Sequence, residues 1–304
     1  MKIAILTDSN AGLTKEVAKE MGVFLLKNPV IIDGQVYFQE DDLSEEFFFK
    51  ALEDNRDVST SQPSPGLTMN KWDEIFKLGY DQIVFVPISR GLSSTCDTCL
   101  ALAQQEEYEG KVFVVDNHRV SVTQILSIRK IHELIKEGKT GAEIKKILED
   151  EAYESIIYLS VNTLEYLKRT GRVNAVSAAI GSLLNLKPVL TVKGEKFDAI
   201  SKTRGMVKAK LEMFKFLKND IETRFTQLKD HLVIGVAGAG LTKEEADKWT
   251  NDVKEYFSQY YSNVEVFFAP LSLSVSAHTG PKALGFGIST VSYTHLRAHE
   301  TLRH

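Results

Sequence analysis

Short apolar runs rich in valine and isoleucine alternate with segments of helical period along almost the whole chain, the pattern of an α/β protein with largely parallel sheets flanked by helices. The runs that predict strands are Lys2–Leu6, Gln82–Ile88, Lys111–Val115, Ser155–Val161, Leu186–Val192 and Leu232–Ala237. Thr14–Met21 and Leu43–Asp54 carry helical spacing, with Thr14 and Ser44 placed to cap them. Pro29–Phe38 reads differently: Asp33-Gly34 between two β-rich runs predicts a hairpin with a tight primed turn. A helical stretch from about Gln124 to Asp150, broken at Glu137-Gly138, ends before a new strand at Ser155. The second half restarts with strand, helix and strand, a Gly194 turn and a long helix from Arg204 to about Arg224. The expected division is therefore an α/β domain over 1–153, a second over 154–290, and a separate tail over 291–304. No fixed-period repeat supports a solenoid or propeller.

Composition narrows the function classes. The 304 residues are about twice the ~150 of a typical domain, and 43% hydrophobic with 26% charged residues is ordinary globular usage. Lys plus Arg number 37 against 41 Asp plus Glu, a formal net charge of -4. That balance gives no support to bulk binding of nucleic acid. No apolar run approaches the roughly 18 residues of a membrane span, and Asp8 interrupts the first apolar run too early for a signal peptide. The expectation is a soluble, cytoplasmic protein without stable membrane insertion. Three of the seven histidines, His295, His299 and His304, fall in a final segment unlike anything before it, so the tail is read as foreign to the domain and those histidines are set aside.

Ligands of open α/β sheets bind beyond the carboxyl ends of the strands, which directs attention to two hydroxyl-rich loops. Ser89-Arg90-Gly91-Leu92-Ser93-Ser94-Thr95 follows a strand and runs into a helix, and a helix start with hydroxyls and free amides suits an anion. Taken alone, Ser93 or Ser94 reads as a cap for its own helix. The second loop, Ser59-Thr60-Ser61-Gln62-Pro63-Ser64-Pro65, reads alone as a proline-stiffened connector. Lys168-Arg169-Thr170-Gly171-Arg172 ends a helix with cations at its carboxyl terminus. Cys96-Asp97-Thr98-Cys99 raises a thioredoxin-like role, but its first cysteine lies past the helix start, so two small buried apolar groups are the favoured reading. Gly235-Val236-Ala237-Gly238-Ala239-Gly240 superficially resembles a dinucleotide loop with the wrong glycine spacing. His118 and His132 stand in no metal-ligand spacing, so no metal is expected.

Together these loops resemble the DegV family of bacterial fatty-acid-binding proteins. The matching elements are Thr7-Asp8-Ser9, Thr60-Ser61-Gln62-Pro63-Ser64, Ile88-Ser89-Arg90-Gly91-Leu92-Ser93, Val115-Asp116, Leu167 to Val173, Leu184-Asn185-Leu186-Lys187-Pro188, Arg204-Gly205 and His278-Thr279-Gly280-Pro281, in family order over about residues 1 to 289. The resemblance implies two α/β domains with an acyl pocket at their junction, no catalytic turnover, and no cofactor apart from the bound fatty acid. It further implies presentation of a long-chain fatty acid to a fatty-acid kinase that forms an acyl phosphate. Carried over by motif, Thr60 and Ser93, with Ser61 and Ser94 beside them, would hold the carboxylate, and Arg172, Arg204 and His278 would form the polar, cationic rim. The stretch Ala175–Leu186 is the expected apolar wall. Arg90 and Ser94 depart from the family pattern, which has a small residue and a glycine there, so Arg90 is a candidate extra cation near the head group. An alternative places the chain near dihydroxyacetone kinase subunits, with His278 engaging a small carbonyl substrate.

Overall fold

The computed structural model describes residues 1–174, 186–193 and 195–290. The expected wall at Ala175–Leu186 (save Leu186 itself), the Gly194 turn and the 291–304 tail lie outside the described residues. In the first half, β1 (Ile3–Asp8), β2 (Val23–Leu26), β6 (Gln82–Val86) and β7 (Val112–Val114) form a sheet in the order β2-β1-β6-β7. All three pairings are parallel. Their near-continuous apolar character follows from burial on both faces. Thr14 and Ser44 cap their helices as expected, each side-chain oxygen accepting an amide of the first turn.

The hairpin is present as β3 (Val30–Ile32) and β4 (Gln35–Tyr37), and β5 (Val58–Thr60) adds to β3 to make a small antiparallel sheet. Asp33 and Gly34 turn it with φ of 48° and 81°, the left-handed pair that a primed turn requires.

The second half holds β8 (Ser155–Ser160), β9 (Leu186–Val192), β10 (Asp198–Arg204), β11 (Leu232–Gly238), β12 (Val264–Pro270) and β13 (Leu284–Ser289), ordered β10-β9-β8-β13-β11-β12. Here the pairing is mixed: β11 and β12 run parallel, while every other neighbouring pair is antiparallel. Two of the antiparallel pairs come from β13, which returns from late in the chain to lie between β8 and β11, and the other two join β8, β9 and β10 in succession. Parallel order as read from the sequence thus describes the first sheet and the β11/β12 pair.

One helix joins the two sheets. It spans Val122–Lys136, with almost every residue of its first two turns buried, and its Ile125 and Ile128 share a core with Ile5 and Val84 of the first sheet and Ala237 and Ala269 of the second. The glycine run explains this contact. A Cβ on Gly235, within β11, would lie 2.4 Å from the Cβ of Val122, so the glycine admits the helix against the strand; it serves packing and not a nucleotide phosphate. Further along, Leu273–Thr279 is a short helix from the second half that packs Leu273 and Ala277 against Val30 and Ile32 of the small sheet. These two helices fix the loops of both halves around one cleft. Among the described residues no helix is long and apolar enough to cross a membrane.

Candidate functional site

A cavity of about 200 Å³ opens beyond the carboxyl ends of β1 and β6. Its lining divides in two. Polar groups come from Asn10, Asn28, Thr60, Ser61, Gln62, Ser93, Ser94, Ser274, Arg172 and His278, and apolar ones from Ile88, Leu92, Val120, Val275 and Phe197. The structure therefore brings together Thr60, Ser61, Ser93, Ser94, Arg172 and His278. Arg204 is not among the described lining residues: it ends β10 as an exposed residue.

Local chemistry places each group. Ser64 caps a helix over Pro65–Lys77 with proline at its first position, which ends the Ser59–Pro65 loop sharply. Gln62 Oε1 accepts from Thr98 Oγ1 at 3.0 Å and ties that loop to the helix Thr95–Leu102. At the start of this helix Ser94 makes no side-chain cap bond. Ser93 Oγ instead lies 2.9 Å from Thr95 Oγ1 and accepts from Thr95 N–H at 3.3 Å. The Ser94 hydroxyl is thus spared from capping.

Beneath the cavity Asp8 is fully buried and accepts from the N–H groups of Ile88 (2.8 Å) and Asn10 (3.0 Å). It thereby pins the turns that follow β1 and β6. Gln124 Nε2 bonds Thr7 Oγ1 at 2.8 Å and Asp8 Oδ1 at 3.2 Å from below, and Ser274 Oγ donates to Asn10 Oδ1 at 2.7 Å. Burial outweighs these hydrogen bonds and pushes the Asp8 carboxyl up to about 6.

Two side chains dominate the electrostatics. His278 Nε2 lies 2.9 Å from Thr60 Oγ1, and its buried Nδ1 has no partner among the described residues. Burial first, then the charges of Arg172 and Arg169, pull this imidazole down to about 3, so it is neutral at physiological pH. Arg172 donates to the backbone oxygens of Thr170 and Leu92. Among the described lining residues it is the only ionised group, and none of them is a carboxylate. The cavity therefore carries an unneutralised positive charge at its hydroxyl end. Arg90 contributes nothing to it: the guanidinium turns to Asp97 (2.6 Å) and Asp116 (3.3 Å), which corrects its candidacy as a head-group cation.

His278 and Asp8 link stability to pH with opposite signs. A histidine neutral when folded and protonated when unfolded loses stability as pH falls below its unfolded value of about 6.5. A carboxyl raised on folding gains stability as pH falls, from its folded value of about 6 to its ordinary unfolded value of 3.8. From about pH 6 to about pH 4 the slopes, each about 1.4 kcal/mol per pH unit, oppose each other. Relative to wild type, His278→Gln is expected to gain roughly 2 kcal/mol over that acidification, read from urea unfolding at the two pH values. A stability difference between the two proteins that stays constant with pH would contradict the buried neutral imidazole.

The cysteines are free, buried and packed with Leu6, Phe85 and Val114. Burial pushes Cys99 up to about 12 and Cys96 higher still, so neither is a thiolate nucleophile. No cluster of three or more metal-ligating side chains occurs among the described residues.

Sequence reasoning did not single out Asn28, Ser274, Val275 or Phe197. The Leu273–Thr279 helix is hard to see because it is short and sets Leu273 and Ala277 among serine, valine, histidine and threonine, which are weaker helix formers, so the stretch reads as a serine-rich loop. Its one signal is Ser272, whose hydroxyl accepts from Val275 N–H as a cap.

Comparison with known proteins bears on the family and the fold. Residues 2–291 match the DegV family, whose description is an uncharacterised protein family. A DegV domain-containing protein of Deinococcus radiodurans is 29% identical over 96% of this chain and 100% of its own length. One from Staphylococcus aureus is 30% identical over 93% of this chain and 97% of its own. Among solved structures, a fatty-acid-binding DegV family protein from Thermus thermophilus superposes with a TM-score of 0.82 at 28% identity, covering 95% of this chain and all of the other. DegV of Bacillus subtilis, described as a fatty acid binding protein, gives 0.79 at 26% identity over 94% and 98% of the two chains.

Proposed function

Since the chain belongs to the DegV family, we propose that it is a fatty-acid carrier whose cavity holds the carboxylate at its hydroxyl end and the acyl chain against its apolar end. The observation that carries this reading is the Arg172 charge beside Thr60, Ser93 and a neutral His278, with no acid among the described lining residues to cancel it. An anion there gains charge-assisted hydrogen bonds, and the first-turn amides of the Thr95–Leu102 helix add a favourable dipole. A carboxylate can only accept, so it selects the tautomer in which His278 Nε2–H donates to Thr60 Oγ1 and frees the Thr60 proton for the ligand. His278 is then a positioning residue, with its Nε2 engaged by Thr60 and unavailable to a carbonyl substrate.

The carboxylate end also faces outward. Ser61 and Ser94 are exposed at the cavity mouth, a placement that supports presentation of the bound acid to a fatty-acid kinase for acyl phosphate formation. The wall residues are apolar enough to contribute on the order of 0.8 kcal/mol for each methylene they bury. Native mass spectrometry of protein purified from bacterial cells tests the reading: a co-purifying fatty acid is expected. Protein that is ligand-free and also takes up no added fatty acid would overturn it.

A further inference from the structure

We propose that Phe197 is the stop that sets how long an acyl chain this cavity accepts, an inference that rests on reading the cavity as an acyl site. At about 200 Å³ the cavity is small beside the roughly 300–1,000 Å³ of sites for drug-sized ligands. With the carboxylate at the hydroxyl end, the chain must extend toward Leu92, Val120, Val275 and Phe197. Phe197 is the largest apolar side chain of the described lining and is 6% exposed.

Its backbone is fixed on both sides. Phe197 N–H donates to Arg172 O at 2.9 Å, and Phe197 O accepts from Asn174 N–H at 3.0 Å. These bonds close a β-bridge between Val173 and Phe197, so the ring is registered to the same segment that supplies Arg172. The ring packs in one apolar cluster with Leu159, Leu190 and Val192, none of which lines the cavity. Phe197 thus lines the open space and belongs to the same apolar cluster as residues outside the described lining. Removing the six ring carbons extends the space toward walls that are already hydrocarbon, the kind of cavity that stays dry and takes apolar ligands.

The test is a series of saturated fatty acids of about 6 to 18 carbons, titrated against wild type, Phe197→Leu and Phe197→Ala by displacement of a fluorescent fatty acid. For wild type, affinity is expected to rise about fourfold per added methylene and then level off. In Phe197→Ala the shortest acids bind as in wild type, but the rise continues past the wild-type plateau and gains 10-fold or more for longer chains. Phe197→Leu, which keeps most of the volume and guards against a folding defect in the alanine variant, levels off between the two. A plateau at the same length in all three proteins overturns the stop, and so does a uniform loss at every length, which assigns Phe197 to head-group support. Wild type that binds no acid of any length overturns the acyl-site reading and this inference with it, whereas binding with an unmoved plateau overturns the stop alone.

Discussion

Replacing Arg172 by glutamine is expected to weaken fatty-acid binding by about 10- to 100-fold, the range set by 1.5–3 kcal/mol for a hydrogen bond to a charged group. The guanidinium is half-buried, donates only to backbone oxygens, and has no acid beside it in the described lining. Without it a carboxylate would be desolvated against hydroxyls and amides alone. The loss should fall on the charged head: a fatty alcohol of the same chain length should bind wild type and Arg172→Gln alike. Arg172→Lys should recover only part of the affinity, because lysine keeps the charge and loses the planar fork. Binding constants for acid and alcohol to the three proteins decide it. Equal losses for acid and alcohol would assign Arg172 to wall packing.

Gly12→Ala is expected to destabilise the protein by about 3 kcal/mol or more, lowering the melting midpoint by roughly 6 °C or more. Gly12 has φ of 79°, closes the turn after β1 through a bond from its N–H to Ser9 O, and would place a Cβ 2.2 Å from the carbonyl oxygen of Pro270. That oxygen is backbone at the end of β12, so it cannot swing aside as a side chain would. The collision would part the two halves at the turn that carries Asn10 into the cavity. Gly22→Ala isolates the backbone share: it has φ of 66° but nothing within 4 Å of the new Cβ, so it should cost only about 1–2 kcal/mol. Thermal scans of the two variants giving equal midpoints would show that the contact with Pro270 relaxes.

The features legible from sequence are those that local physics specifies. Ile83–Val86 and Ala4–Leu6 are buried on both faces of a parallel sheet, and burial on both faces leaves a continuous apolar run in the sequence. Thr14, Ser44 and Asp33-Gly34 declare themselves because one side chain or one backbone region makes the turn. The course of the second sheet is not written locally. β13 contains Gly285 and Gly287, poor strand formers, and only tertiary contact places it between β8 and β11. There Gly287 gives room to Thr123 of the joining helix, whose methyl would lie 2.9 Å from an added Cβ.

The site divides in the same way. Hydroxyl clusters such as Thr60-Ser61 and Ser93-Ser94 are visible because several donors in one loop are unusual chemistry. Asn28 and Phe197 are single residues whose role comes from where folding carries them. Arg204 shows the converse: the family motif places it among the site residues, yet it ends its strand exposed and is not among the described lining residues.

A crystal structure of the protein with a saturated fatty acid is the most direct measurement of how the cavity is used. The expected result is a carboxylate within hydrogen-bond distance of Thr60 Oγ1 and Ser93 Oγ, near the Arg172 guanidinium, with the chain running past Leu92 and Val120 to Phe197. A chain seated in the opposite sense, or a ligand bound elsewhere with this cavity empty, would contradict it.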